Sequence, residues 1–338
     1  MKNLGIKQNV TVLGAGAWGT ALSNLLAENG FDVILWCYEP SVAQDIISTG
    51  MNSNFLPAVK LNTKVCPTVD IETAIKSSEF IFEAIPVKYL RDVLNLAKGY
   101  VTKEHKFIVT SKGIEQDTVM LPSQIVCDIC GLQATVVALG GPNFAKDLAD
   151  RAFTATVVAS KETEPAKQVA RMLACSYFKP YISDDINGVQ IGGAIKNIFA
   201  LTIGMAHGLG YGENTIAFLM TRCLFELSIL SKYFGGRQDT IYGLSGFGDL
   251  FLTCCSAVSK NFKFGRLLGQ GLSLNELSKQ YAAIPEGVNT VQTVKKLIEQ
   301  NNLNLPVCLG TYEVIFEGVA FKNIIDKVIE QPLGNEGH

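Results

Sequence analysis

Val10–Leu13 runs straight into Gly14-Ala15-Gly16-Ala17-Trp18-Gly19, and this junction limits the available folds more than any other part of the chain. A β-branched run that stops at a G-x-G-x-x-G has to turn tightly and start a helix within the motif. The first glycine permits the turn, the second lets a bound group approach the backbone, and the third lets the helix lie close on the strand. The free N–H groups at such a helix start attract an anion, and a pyrophosphate suits the spacing. The alternative is an ordinary strand-to-helix turn. Further short apolar runs follow at Val33–Trp36, Phe80–Ile85, Phe107–Thr110, Thr135–Leu139 and Thr154–Ala159. Helical stretches separate them, such as Thr20–Glu28, where Ala21, Leu22, Leu25 and Leu26 share a face. Strand–helix alternation predicts a mostly parallel sheet with helices on both faces.

The texture changes after about Asn187. Ile191–His207 reads as a long apolar helix, followed by helical patterns at Thr215–Phe234, Lys263–Leu268, Leu274–Tyr281, Val291–Glu299 and Thr311–Glu317. No strand alternation stands out there. The reading is a Rossmann-type α/β domain over residues 1–186 and an all-α domain over 187–338, with a frayed tail at Gln331–His338. Two domains suit the length of 338 residues.

Composition excludes several classes. Lys and Arg number 29 against 31 Asp and Glu, a balance that argues against a nucleic-acid or membrane-surface protein. With 48% hydrophobic residues the chain buries a large core. Only 18% are charged, so surface is hidden in an interface, such as that of a homodimer, or polar work is concentrated in a few places. Nine scattered cysteines form no disulfide framework, and the lone Cys127/Cys130 pair has no partner set for zinc, so no metal is predicted. No stretch reads as a signal peptide or as a stable membrane insertion, and the expectation is a soluble, cytoplasmic protein.

Several segments carry chemistry. Glu39 lies twenty residues past Gly19, after the second strand, where an acid binds a ribose diol and repels a 2′-phosphate. A solvated loop acid, with Tyr38 facing the adenosine, is the alternative. Lys112 follows the strand Phe107–Thr110, at the end of a parallel sheet where ligands bind. Gly140-Gly141-Pro142-Asn143-Phe144-Ala145 ends another strand and exposes backbone N–H groups. Lys196 interrupts an apolar helix, and desolvation there moves a lysine toward acid/base service unless it snorkels to the surface. Ser259-Lys260-Asn261, preceded by Gly246-Phe247-Gly248-Asp249-Leu250, offers hydroxyl, ammonium and amide at a helix start. These suit a phosphate, or serve only as a cap.

Taken in order, these motifs resemble the bacterial type of NAD(P)-dependent glycerol-3-phosphate dehydrogenase. The most specific are Gly141–Lys146 (GPNFAK), Ser183-Asp184-Asp185, Gly188–Asn197 (GVQIGGAIKN) and Leu244–Thr253 (LSGFGDLFLT), and the likeness runs on to Pro285-Glu286-Gly287. The resemblance implies reversible reduction of dihydroxyacetone phosphate to sn-glycerol 3-phosphate with NADH or NADPH, supplying phospholipid synthesis. It implies Lys196 as acid/base, with Lys112 and Asp249 lining the same site. Substrate contacts map to Gly141, Asn143, Ser259, Lys260 and Asn261. Cofactor contacts map to Gly14, Gly16, Ala17, Trp18, Gly19, Tyr38, Lys112, Ala145, Lys260, Ile284 and Glu286. Lys112, Lys196, Asp249 and Lys260 are expected to converge on one cleft. Three positions depart from the family pattern: Lys260 stands for the usual arginine, Asn143 for a serine or threonine, and Tyr38 for a cationic or imidazole side chain. Lysine keeps the charge but loses bidentate phosphate geometry. The rival within the same fold is a two-domain dehydrogenase of a β-hydroxy acid or ketopantoate. The rival outside catalysis is a silent dinucleotide sensor, which leaves Lys196 and Ser259-Lys260-Asn261 without a task.

Overall fold

The computed structural model describes residues 9–131, 135–281 and 283–330. The fraying expected at Gln331–His338 falls outside them. The chain divides into two compact units, Met1–Lys112 with Met120–Ile186, and Gly113–Val119 with Asn187–His338.

The first unit holds the ten strands found among the described residues: β1 (Asn9–Leu13), β2 (Asp32–Trp36), β3 (Met51–Asn52), β4 (Leu56–Lys60), β5 (Val65–Thr68), β6 (Phe80–Glu83), β7 (Lys106–Val109), β8 (Val136–Gly140), β9 (Thr154–Ala159) and β10 (Phe178–Ser183). Eight of them form one sheet in the order β10-β9-β8-β7-β6-β1-β2-β5. Every pairing is parallel except β8 with β9. The inner strands β6 and β8 are buried at every residue, as a sheet covered on both faces requires. Helices such as Ala17–Glu28, Val87–Ala97 and Thr163–Leu173 cover it, each burying an apolar stripe. The Ala17–Glu28 helix starts three residues before the expected Thr20, because extended Gly16 already serves as its N-cap.

Four strands escaped the sequence reading, and proline accounts for two. β5 contains Pro67 and β10 contains Pro180, and these strands are the two edges of the sheet. Proline lacks the ladder donor, so an edge is where a sheet tolerates it, and the same residue erases the strand signal. The small β3–β4 hairpin buries only Asn52 and Leu56, too little to produce an alternation.

The second unit is helical, and among the described residues no strand follows Ser183. Its helices include Ile186–Gly208, Glu213–Tyr233, Lys260–Gly269, Leu274–Gln280, Glu286–Asn301 and Pro306–Tyr312. The expected Thr311–Glu317 helix is in fact the end of Pro306–Tyr312 followed by a wider π turn over Glu313–Glu317. Leu201, Phe264, Leu277, Val288 and Ile315 pack into one core cluster. Each such side chain, fully buried, contributes about 1.5–3 kcal/mol. The Ile186–Gly208 helix is long and apolar enough to cross a membrane, yet its most apolar window is 100% buried inside the protein, which makes it a core helix. All nine cysteines are free thiols. Among the described residues no group of three or more His, Cys, Asp and Glu is placed to hold a metal ion.

Candidate active site

The first unit assembles its glycine loop at the carboxyl ends of the strands. Gly14 adopts φ +106°, and a Cβ there would lie 2.7 Å from the Ala84 carbonyl oxygen. A Cβ on Gly19 would meet the Gly14 carbonyl oxygen at 1.9 Å, so helix and strand approach as only glycine allows. Gly16 has nothing within 4 Å of the corresponding position. The helix beginning at Ala17 has no side-chain cap, which leaves its first-turn N–H groups for an outside acceptor. Past the end of β2, Tyr38 is 71% exposed. Glu39 is the extended N-cap of the Pro40–Thr49 helix and makes no side-chain cap bond. Burial, reinforced by the charge of Glu39, pushes the Cys37 thiol up to about 12, so Cys37 stays protonated.

The turns after β6, β7 and β8 meet beside this loop. Trp18 donates its indole N–H to Thr110 Oγ1 at 3.0 Å. Lys112 donates from Nζ to the Gly141 carbonyl at 3.0 Å. Gly141 takes φ +139° against the Thr156 backbone. Asn143 donates from Nδ2 to Thr156 Oγ1 at 2.9 Å, while its buried Oδ1 has no partner among the described residues. Ala145 opens the short helix Ala145–Ala149. Glu83, absent from the sequence candidates, is wholly buried at the end of β6. A single acid inside the apolar run Phe80–Ile85 was the available signal.

The second unit brings together most of the rest. Lys196 is 5% exposed and Asp249 0%, and Lys196 Nζ donates to Asp249 Oδ1 at 2.5 Å. The lysine therefore does not snorkel, because its ammonium has a buried carboxylate to meet. The position of that carboxylate follows from two glycines. Gly192 lies one helical turn before Lys196, and a Cβ on it would sit 2.0 Å from the Ser245 carbonyl oxygen and 3.0 Å from Gly246 Cα. Backbone thus touches backbone, and the π turn Leu244–Gly248 leads directly into the helix that begins with Asp249.

Asn197, the next residue, accepts at Oδ1 from Asn261 Nδ2 at 3.0 Å and donates from Nδ2 to Glu286 Oε2 at 3.5 Å. Asn261 Oδ1 in turn accepts from the Gly287 N–H at 3.0 Å. Ser259 caps the Lys260–Gly269 helix by accepting from the Phe262 N–H at 3.3 Å, and Lys260 stands exposed beside it. This helix is held to Ile186–Gly208 by mutual glycine contacts. Cβ atoms on Gly204 and Gly208 would strike Phe262 and Arg266, and those on Gly265 and Gly269 would strike Leu201 and Met205. Ile284, 38% exposed, precedes Glu286, the first residue of the Glu286–Asn301 helix. Sequence reasoning missed Asn197 and the glycine contacts, although Gly192 and Asn197 both lie in the quoted GVQIGGAIKN.

The arrangement supplies an anion-binding helix start, an exposed ammonium at a second helix start, and a buried ammonium–carboxylate pair able to move a proton. Comparison with known proteins identifies the family. Residues 9–166 match the family model of the NAD-dependent glycerol-3-phosphate dehydrogenase N-terminus, and residues 185–326 that of its C-terminus. A glycerol-3-phosphate dehydrogenase [NAD(P)+] of Ectopseudomonas mendocina is 40% identical over 319 residues, covering 94% of this chain and 93% of the relative. That of Bacillus subtilis is 36% identical over 325 residues, covering 95% and 94%. The crystal structure of glycerol-3-phosphate dehydrogenase from Coxiella burnetii superposes with a TM-score of 0.89 at 29% identity, covering 96% of this chain and 99% of that one. A ketopantoate reductase from Ralstonia eutropha, covering 94% and 99%, shares the fold alone, at 15% identity and a TM-score of 0.60. On both halves of its length, the chain belongs to the NAD-dependent glycerol-3-phosphate dehydrogenase family.

Proposed function

We propose that the chain catalyses the reversible reduction of dihydroxyacetone phosphate to sn-glycerol 3-phosphate with NADH or NADPH, a product that feeds phospholipid synthesis. The observation that carries this reading is the buried Lys196–Asp249 pair beside the Asn197–Asn261–Glu286 network in a chain of this family. The nucleotide fits the first unit: open space at Gly16 lies over uncapped N–H groups that suit a pyrophosphate. When bound, the reduced nicotinamide supplies a hydride to the C2 carbonyl carbon.

Lys196 Nζ hands a proton to the oxygen that becomes the C2 hydroxyl, and takes it back in the oxidative direction. Asp249 holds that ammonium through Oδ1 and so aims its remaining protons. Ser259, Lys260 and Asn261 bind the substrate phosphate at the start of their helix, where the backbone dipole adds to the lysine charge. Lys112, Gly141 and Asn143 complete the substrate contacts in this reading. Gly14, Gly16, Ala17, Trp18, Gly19, Tyr38, Ala145, Ile284 and Glu286 serve the nucleotide.

The test follows reduced-nicotinamide absorbance with dihydroxyacetone phosphate, with unphosphorylated dihydroxyacetone and with a carboxylated ketone. Oxidation with the phosphorylated ketone alone is the expected result. Equal rates with the two dihydroxyacetones, or preference for the carboxylate, overturn the proposal. Lys196→Ala should cut turnover by at least about 10²-fold while nucleotide binding holds, since a positioned acid contributes roughly 10²–10⁴.

A further inference from the structure

Glu83 ends β6 in the middle of the sheet, paired with Leu13 of β1 on one side and Val109 of β7 on the other. A carboxylate sealed there is costly unless donors surround it. Its Oε1 accepts from the Ile85 N–H at 2.6 Å. Its Oε2 accepts from Ser111 Oγ at 2.8 Å and, more distantly, from the Ser111 N–H at 3.4 Å. Its main-chain carbonyl accepts from the Thr110 N–H at 3.0 Å and from Thr110 Oγ1 at 2.7 Å. The same Thr110 oxygen accepts from the Trp18 indole.

One residue thus fastens three pieces: the turn after β6, the turn after β7, and through Thr110 the indole of the glycine loop. The first of these turns is also the wall against which the loop is built, because Ala84 is what a Cβ on Gly14 would strike. The second turn carries Lys112. The groups that face the carboxylate, from Ile85, Thr110 and Ser111, are uncharged donors. Lys112, the residue after Ser111, donates to the Gly141 carbonyl.

We propose that Glu83 is a positioning residue for the nicotinamide nucleotide: its carboxylate pins the Ala84–Ile85 turn to the Ser111–Lys112 turn and thereby sets the turn that carries Lys112 for binding, next to the Thr110 that its main-chain carbonyl holds under Trp18. This rests on the reading above that the first unit binds NADH or NADPH. The chemistry makes the pin depend on ionisation. As a carboxylate, Glu83 accepts from all three side-facing donors. Once protonated, one oxygen must donate its hydrogen to Ser111 Oγ, which reverses that bond, and the Ser111 N–H loses its acceptor. Burial raises the Glu83 carboxyl to about 7 against the opposing pull of the Ile85 and Ser111 donors, so the change falls in an accessible range. Glutamine imitates the protonated form at every pH, with its carbonyl on the Ile85 N–H and its NH₂ on Ser111 Oγ. Valine abolishes both contacts.

The experiment measures NADH and NADPH dissociation constants from quenching of tryptophan fluorescence between pH 6 and pH 8, for the wild type, Glu83→Gln and Glu83→Val. The wild type should bind more tightly as the pH rises through about 7. Glu83→Gln should stay at the weaker value across the range. Glu83→Val should bind about tenfold more weakly than the wild type at pH 8, the loss of roughly two hydrogen-bonded contacts. If the valine variant does not fold, the pH profile of the glutamine variant decides alone. A wild type that binds neither nucleotide overturns both the functional reading and this inference. A wild type that binds, with a glutamine variant showing the same affinity and the same pH slope, overturns the role of Glu83 only.

Discussion

Gly192→Ala tests whether catalysis depends on how closely two backbones approach. The new Cβ would lie 2.0 Å from the Ser245 carbonyl oxygen and 2.7 Å from its carbon, where real Cβ contacts essentially never fall below 3.0 Å. The π turn Leu244–Gly248 must therefore retreat by about 1 Å. Asp249 follows that turn without a break, so the retreat takes Oδ1 away from Lys196 Nζ. A contact of 2.5 Å opens to about 3.5 Å, beyond useful hydrogen-bond length. A misplacement of about 1 Å at reacting groups costs on the order of 10²-fold in rate. Stability suffers less. Overpacking costs about 1–3 kcal/mol, and alanine regains up to about 1 kcal/mol of helix propensity over glycine. The assay is turnover of reduced nicotinamide with saturating dihydroxyacetone phosphate, beside a nucleotide binding titration. Turnover should fall about 10²-fold and nucleotide affinity should hold. Gly212→Ala is the matched control, since nothing lies within 4 Å of its added Cβ. Near-normal turnover in Gly192→Ala, or an equal loss in Gly212→Ala, would refute the reasoning.

Three further outcomes follow from the same geometry. Asp249→Ala strands a buried ammonium and should destabilise the protein by about 3–5 kcal/mol in denaturant titrations, whereas pairing Asp249→Leu with Lys196→Met should regain most of that stability without activity. Lys260→Arg restores a planar fork for phosphate, so KM for dihydroxyacetone phosphate should fall by about two- to tenfold; an unchanged KM shows that charge alone suffices there. Glu226 is buried and accepts from the Val307 and Cys308 N–H groups at 2.5 and 2.9 Å. Burial, the larger effect, raises its carboxyl from 4.5 to about 7 despite those donors. Between these values the folded protein keeps a proton that the unfolded chain has released, so stability falls as pH rises from about 4.5 to about 7 and is level above. Thermal melts of Glu226→Gln should lack that part of the slope, and an unaltered slope contradicts the assignment.

What the sequence revealed, and what it hid, divides by the range of the interactions involved. The β1 turn was legible because Gly14, Gly16 and Gly19 each answer a requirement within six residues, and the structure meets all three with a positive φ, an open face and a close helix. The parallel sheet was legible from runs such as Val10–Leu13, Phe107–Thr110 and Phe80–Ile85 because inner strands buried on both faces are mostly apolar. Its edges were not, since Pro67 and Pro180 interrupt the local strand pattern, and only the order of strands puts each at an edge where a missing donor is tolerated. Lys196 stood out as a charge in an apolar helix, but its pairing with Asp249 spans 53 positions and depends on Gly192 meeting the Ser245–Gly246 backbone. No periodicity encodes a meeting between two helices; a glycine records only that something comes near, not what. Glu83 is the converse case. It passed unremarked inside the strand Phe80–Ile85, and only the positions of Ile85, Thr110 and Ser111 make it a joint between turns. A lone polar residue in an apolar run is therefore a pointer whose partner must be found in three dimensions, and at Lys196 and Glu83 alike the partner lies on a neighbouring turn or helix that the local sequence does not name.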